Sequence, residues 1–221
     1  MPAKAPDSTP RSSPSDAPSV VVFDMGGVLI DWNPRHLYAR LIPDPAEREH
    51  FLATVTTNDW HVEQDRGGDP VAATARLCAA FPEHAPLIEA FYGRFDEMLE
   101  HDFPEMTALV ERLAKAGTPL YLLSNAPAFL DDWARGHGRR RHPFLGRFRD
   151  YVVSGRVGLM KPDAAIYDLV CRTGGFHPGD AVFIDDNLPN VEAARAFGLH
   201  AIHHRRPEET LAALRDLGLP A

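Results

Sequence analysis

The sequence predicts an α/β fold, a doubly wound parallel sheet. Three observations predict it. Short runs at residues 20–23, 120–123 and 181–184 are apolar or aromatic throughout, the pattern of strands buried on both faces rather than one. Each run ends abruptly in polar residues: Asp24, Ser124-Asn125 and Asp185-Asp186. Stretches with helical spacing alternate with the runs, which implies right-handed crossovers between parallel strands.

The first run is too short for a helix and closes on Asp24, at the strand end where open parallel sheets place their ligand crevice. Gly26 and Gly27 let the backbone turn and bring its N–H groups toward a ligand before a second apolar triplet at 28–30. Asp31 then reads as a turn cap and Trp32 as packing. Asn33-Pro34-Arg35 starts a helix, with Asn as cap and Pro in the first turn. From there to Leu99 the spacing predicts helices and no strand. One is capped by Asp44 and holds Phe51, Leu52 and Val55; one opens at Asp69-Pro70 and carries Val71, Leu77, Cys78 and Phe81. A third covers 84–99, with Leu87, Ile88, Phe91, Phe95 and Met98 along one face. Residues 59–68 read as a polar loop that either touches substrate or is a solvated turn. The block 33–102 therefore reads as a separate small helical domain inserted after the first strand, between core segments 19–32 and 103–221.

Beyond Pro104, Met106, Leu109, Val110 and Leu113 keep helical spacing and Gly117 is a natural stop. The strand ending at Ser124 follows, then a basic stretch at 134–149, a strand at 151–154, and a loop at 158–163 leading into a helix with Ile166, Leu169 and Val170. After the strand ending at Asp185 come a helix with Val191, Ala194 and Phe197, closed by Gly198, a short strand at 200–203, and a last helix from Pro207 with Leu211, Leu214 and Leu217.

Composition narrows the function classes. A net charge of −8 disfavours nonspecific nucleic-acid binding, although local cations can still hold an anionic substrate. Residues 1–18 carry proline at 2, 6, 10, 14 and 18 amid serine and charge, and read as a disordered tail. No run has signal-peptide or bilayer length, so no membrane partner and a cytoplasmic location are expected. Cys78 and Cys171 lack metal or redox spacing, and His203-His204 lacks zinc spacing. Arg139-Arg140-Arg141 reads as a solvated charged face rather than an anion-steering patch.

If the strands are parallel, Asp24, Ser124-Asn125 and Asp185-Asp186 share one edge of the sheet, with Lys161 on a loop nearby. Carboxylates from two strands can surround a hard divalent cation such as Mg²⁺. Cation, lysine, hydroxyl and backbone N–H groups together suit a phosphoryl group, and a remaining carboxylate can attack its phosphorus.

With these residues in this order, the sequence resembles the haloacid-dehalogenase superfamily in its phosphatase branch. The resemblance covers residues 19–204 through four segments: Phe23-Asp24-Met25-Gly26-Gly27-Val28-Leu29, Leu122-Leu123-Ser124-Asn125, Gly158-Leu159-Met160-Lys161-Pro162-Asp163 and Val182-Phe183-Ile184-Asp185-Asp186-Asn187. It implies a Mg²⁺-dependent hydrolase of a small phosphorylated metabolite, such as a sugar phosphate. Asp24 would be the nucleophile that forms an aspartyl-phosphate and a metal ligand. Ser124 and the Asn125 backbone N–H would bind phosphoryl oxygens, and Lys161 would offset charge on nucleophile and phosphate. Asp186 would bind Mg²⁺ directly, Asp185 directly or through water, and Gly26 through its backbone carbonyl. Asn190 falls where the family often places another polar residue of the metal site. Most phosphatases of the family carry an aspartate acid–base at the position of Gly26, whereas members with glycine there also exist. His61, Glu63, Asp65 or a metal-polarised water are the candidate substitutes. Competing readings are a metal-free 2-haloacid dehalogenase, which the Asp185-Asp186 pair argues against, a non-catalytic binding module, supported by Gly26 alone, and a phosphotransferase. Oligomeric state is not legible.

Overall fold

Val20–Phe23 forms strand β1, its four residues buried, with a parallel partner on either side. The computed structural model describes residues 17–221, so nearly all of the expected tail lies outside the described residues. After β1 come β2 (Ile30–Trp32) and five helices: α1 (Pro34–Leu41), α2 (Pro45–Thr54), α3 (Asn58–Asp65), α4 (Pro70–Ala80) and α5 (Ala85–Gly93). The chain returns through β3 (Leu99–Asp102), α6 (Pro104–Lys115), β4 (Leu120–Ser124), α7 (Phe129–Arg135) and α8 (His137–Arg141). It ends with β5 (Asp150–Val153), α9 (Ser154–Val157), α10 (Ala164–Gly174), β6 (Ala181–Asp185), α11 (Leu188–Phe197), β7 (His200–His203) and α12 (Pro207–Asp216).

The main sheet has the order β5-β4-β1-β6-β7, with every pairing parallel. Its two faces bury alternate residues, as the two-residue period of a strand requires. Val21, Phe23, Leu122 and Ile184 pack with Leu109, Val110 and Leu113 of α6 and Leu214 of α12. Val22, Leu123 and Phe183 pack with Ile166, Tyr167 and Val170 of α10 and Ala194 of α11. Helices thus cover both faces, and β1, the first strand in sequence, lies at the centre. The chain leaves β1 toward opposite sides, so the carboxyl ends of β4, β1 and β6 frame a crevice at a topological switch point. No helix among the described residues is long and apolar enough to cross a membrane.

The inserted helices start on the polar caps that the sequence advertises. Asn33 accepts from Arg35 N–H, Asp44 from Ala46 and Glu47, and Asp69 from Val71, each with proline in the first turn. Three expectations need correction. Residues 59–68 are not a polar loop: α3 runs through Asp65, with the Thr57 side chain accepting from Trp60 N–H. Its buried face is polar, made by His61, Gln64 and Asp65, so it carries no apolar periodicity to read. The helix expected over 84–99 ends at Gly93, and Leu99–Asp102 instead pairs antiparallel with β2. Bonds from Asn33 N–H to the Met98 carbonyl and from Phe103 N–H to the Leu29 carbonyl fix that ribbon, a long-range pairing invisible to local periodicity. The strand expected at 151–154 is shifted by one residue, and Ser154 begins α9. Within the basic stretch that precedes it, Arg139, Arg140 and Arg141 lie on α8 and are all exposed.

Candidate active site

Asp24 follows directly on β1, where its N–H still donates to the Ile184 carbonyl of β6. Its carboxylate Oδ1 accepts from Met25 N–H at 2.7 Å and lies 2.9 Å from Lys161 Nζ. Both of these contacts fall on the same oxygen. Lys161 Nζ also reaches Asp185 Oδ2 at 2.7 Å and the Leu123 carbonyl at 2.9 Å, so its three protons point at three oxygens. The Asn125 side chain grips the Lys161 backbone both ways: Nδ2 donates to the Lys161 carbonyl and Oδ1 accepts its N–H, each at 2.9 Å. The carboxyl end of β4 therefore fixes the loop that carries the lysine. Ser124, the last residue of β4, is buried and lines the same cavity as Asp24.

Asp185 is fully buried at the end of β6. Its oxygens accept from Asn187 N–H at 2.8 Å and from Asn190 Nδ2 at 3.1 and 3.2 Å, besides Lys161. Asn190 thus holds Asp185 rather than facing the cavity. Asp186 is exposed, and His203 Nε2 meets its backbone carbonyl at 3.0 Å. Ligand-capable oxygens of Asp24, Asp185 and Asp186 lie within 4.8 Å of one another. Gly27 makes this crowding possible. Its φ is 72°, and a Cβ there would stand 2.2 Å from Asp186 Oδ2. Gly26 has room beside it, the nearest heavy atom to an added Cβ being Trp32 Cβ at 3.6 Å.

A cavity of 260 Å³ opens at this edge, lined by Asp24, Gly26, Gly27, Ser124, Asn125 and Asp186 on the sheet side. Trp32, Asn58, His61, Asp65, Phe95 and Leu130 form much of the opposite wall. His61 stacks on Trp32 with ring centroids 5.1 Å apart, and its Nδ1 meets Tyr92 Oη at 3.0 Å. Glu63 is exposed and does not line the cavity. One junction sequence reading missed ties the two walls. Ser154 Oγ donates to the Asp65 carbonyl at 2.6 Å and accepts from Ala126 N–H at 2.9 Å. Serine at a strand end carries no motif, and its partner lies 89 residues away.

Burial sets the protonation of these groups. It pushes the Asp24 carboxyl up to about 7, with Lys161 pulling it down and Asp185 pushing it further up. It pushes Asp65 up to about 7 and His61 down to about 4. Asp24 and Asp65, raised above their unfolded values, contribute stability that is present at low pH and lost as pH rises toward 7. His61, depressed, contributes stability that is lost as pH falls below its ordinary 6.5. The metal-free protein is therefore expected to melt at a higher temperature at about pH 6.5 than at about pH 8, before His61 begins to oppose the trend. Thermal unfolding in EDTA at both values checks this; an unchanged or lower melting point at the acidic value contradicts it.

A parallel α/β sheet whose carboxyl edge gathers a buried lysine, three carboxylates and a serine around one cavity defines a hydrolase core of the Rossmann-like kind. The family follows from comparison: the model of haloacid dehalogenase-like hydrolases matches residues 18–198, and the chain belongs to that family. The sesquiterpene phosphatase astK of Aspergillus oryzae is 29% identical over 197 residues, covering 89% of this chain and 94% of that protein. The N-acetylmuramic acid 6-phosphate phosphatase of Pseudomonas aeruginosa is 28% identical, covering 80% of this chain and 77% of that one. The match to acyl-CoA dehydrogenase family member 10 of Mus musculus, 26% identical, covers 90% of this chain but 19% of that longer protein. Among solved structures, a HAD family enzyme from Bacteroides thetaiotaomicron in a magnesium complex has the same fold. Its TM-score is 0.70 at 19% identity, covering 90% of this chain and 100% of that one.

Proposed function

We propose that this hydrolase is a Mg²⁺-dependent phosphatase that cleaves a small phosphorylated metabolite through an aspartyl-phosphate on Asp24. The observation that carries the reading is the convergence of Asp24, Asp185 and Asp186 beside a single lysine. Three carboxylates against one ammonium leave an excess of negative charge, two of the carboxylates being buried, and buried charge demands a partner. A divalent cation supplies it, and all-oxygen donors suit Mg²⁺. Such an ion would hold the phosphoryl group and neutralise charge that develops on it. Asp186 is the better direct ligand, because both oxygens of Asp185 already accept protein hydrogen bonds. The Gly26 carbonyl is a further candidate ligand.

In this reading Asp24 Oδ2 attacks phosphorus, while Lys161 favours the ionised form of Asp24 against its burial and Ser124 with the Asn125 N–H binds phosphoryl oxygens. Residues 33–102 act as a cap whose α3 closes the cavity. Its lining offers aromatic and aliphatic surface but no lysine or arginine, which favours an uncharged organic group on the substrate. The phosphatases among the relatives support the reaction type. Free thiols at Cys78 and Cys171 suit the reducing cytoplasm.

The test is hydrolysis of p-nitrophenyl phosphate and of a phosphometabolite panel, with Mg²⁺ and with EDTA. Activity should need the ion, and Asp186→Ala should raise the Mg²⁺ concentration for half-activation by about tenfold or more. An unchanged metal titration removes Asp186 as a ligand. Halide release from a 2-haloacid in EDTA, without phosphatase activity, would replace the phosphatase reading by a dehalogenase.

A further inference from the structure

An alkoxide is a poor leaving group, and a positioned acid that protonates it contributes about 10²–10⁴-fold. The cavity limits which side chain can do this. Asp24 and Asp185 are held by Lys161, whose own three protons are committed. Asp186 belongs to the carboxylate cluster, and Gly26 has no side chain. Two titratable groups face the cavity from α3, His61 and Asp65. They lie four residues apart and so share a helix face, from which Glu63 is turned away.

His61 is a weak candidate. Its ring is stacked on Trp32 and bonded to Tyr92, and burial keeps it neutral near pH 7. Asp65 is different. It is 6% exposed, and Oδ1 is buried with no hydrogen-bond partner among the described residues. The nearest basic atom, His61 Nε2, stands 3.7 Å from that oxygen, too far for a hydrogen bond. An ionised carboxylate in that setting is disfavoured, so the group holds its proton up to about pH 7. Its backbone is also fixed. Ser154 ties the Asp65 carbonyl to Ala126, two residues beyond Ser124.

We propose that Asp65 is the general acid of the reaction and, in the second half, its general base; this rests on the phosphatase reading above. As Asp24 Oδ2 bonds to phosphorus, the bond from phosphorus to the leaving oxygen breaks. That oxygen takes the Asp65 proton and departs as an alcohol. Asp65, now a carboxylate, takes a proton from water as the water oxygen bonds to phosphorus and the Asp24–phosphorus bond breaks. Inorganic phosphate leaves, and Asp65 is protonated again.

Leaving-group dependence separates this role from a structural one. p-Nitrophenolate departs without a proton, whereas an alkoxide does not. With Mg²⁺ present, Asp65→Asn should lose about 10²–10⁴-fold in kcat on the alkyl phosphate that the wild type hydrolyses best. The pre-steady-state burst of p-nitrophenolate should stay within a few-fold of wild type, followed by slow turnover. Asp65→Glu, which keeps a carboxyl, should retain at least about ten times the alkyl activity of the Asn variant. A p-nitrophenolate burst slowed as much as alkyl phosphate turnover, no loss on the alkyl phosphate, or parity between the Asn and Glu variants overturns the assignment. If the wild type releases phosphate from no monoester, the phosphatase reading falls and takes this one with it. If the wild type is active and Asp65→Asn equals it on the alkyl phosphate, only the acid assignment falls.

Discussion

Asp24→Asn is expected to lower phosphomonoester turnover by at least about 10⁴-fold while leaving the fold in place. The amide is isosteric with the carboxylate, and its oxygen can accept the same bonds from Met25 N–H and Lys161 Nζ that Oδ1 accepts now. What it lacks is the carboxylate oxygen whose attack on phosphorus the proposed reaction requires. Stability should move the other way. Burial pushes the Asp24 carboxyl up to about 7, so holding it ionised at neutral pH opposes folding, and a neutral amide removes that cost. Lys161 keeps Asp185 as its partner. The paired result, lost turnover with an equal or higher metal-free melting temperature, separates a chemical role from a scaffold role. Turnover within about tenfold of wild type would remove Asp24 as nucleophile.

How far the sequence reveals this site depends on the range of the interactions that make it. Asp24, Ser124 and Asp185-Asp186 are legible because strands buried on both faces must end in something polar, and parallel strands bring those ends together. The caps at Asn33, Asp44 and Asp69 are legible because a cap and its target are two or three residues apart. The β2–β3 ribbon is not, because the residues 99–102 carry no signal of their own and pair with a partner far back in the chain. The α3 helix is missed for a different reason. It turns polar residues inward, toward the cavity, so the apolar stripe that announces a helix is absent where function replaces packing. With α3 taken as a loop, His61, Glu63 and Asp65 are equivalent; with helical phase restored, Glu63 separates from the other two.

Lys161→Met should be the most destabilising single change at the site, at about 3–5 kcal/mol in the absence of metal. Methionine fills most of the volume, so the loss is electrostatic rather than a cavity. The lysine is buried, 2.9 Å from Asp24 and 2.7 Å from Asp185. Burial alone would lower its pKa, yet the two carboxylates raise it above the ordinary value, so the ammonium form persists. Without it, Asp24 and Asp185 face each other in low dielectric, and the Asp24 carboxyl is driven further above its unfolded pKa. A carboxyl so raised destabilises once ionised, and that penalty is relieved as pH falls below the folded value. The gap in melting temperature between variant and wild type should therefore narrow on acidification to about pH 5, and also when Mg²⁺ is added at neutral pH. Turnover should fall by at least about 10²-fold, because a protonated Asp24 is no nucleophile. Thermal unfolding at two pH values, with and without the ion, measures the stability effects, and steady-state phosphate release measures the turnover. A melting temperature matching the wild type in EDTA at neutral pH would mean that the carboxylates do not depend on the lysine, and the charge count that calls for a divalent cation would be wrong.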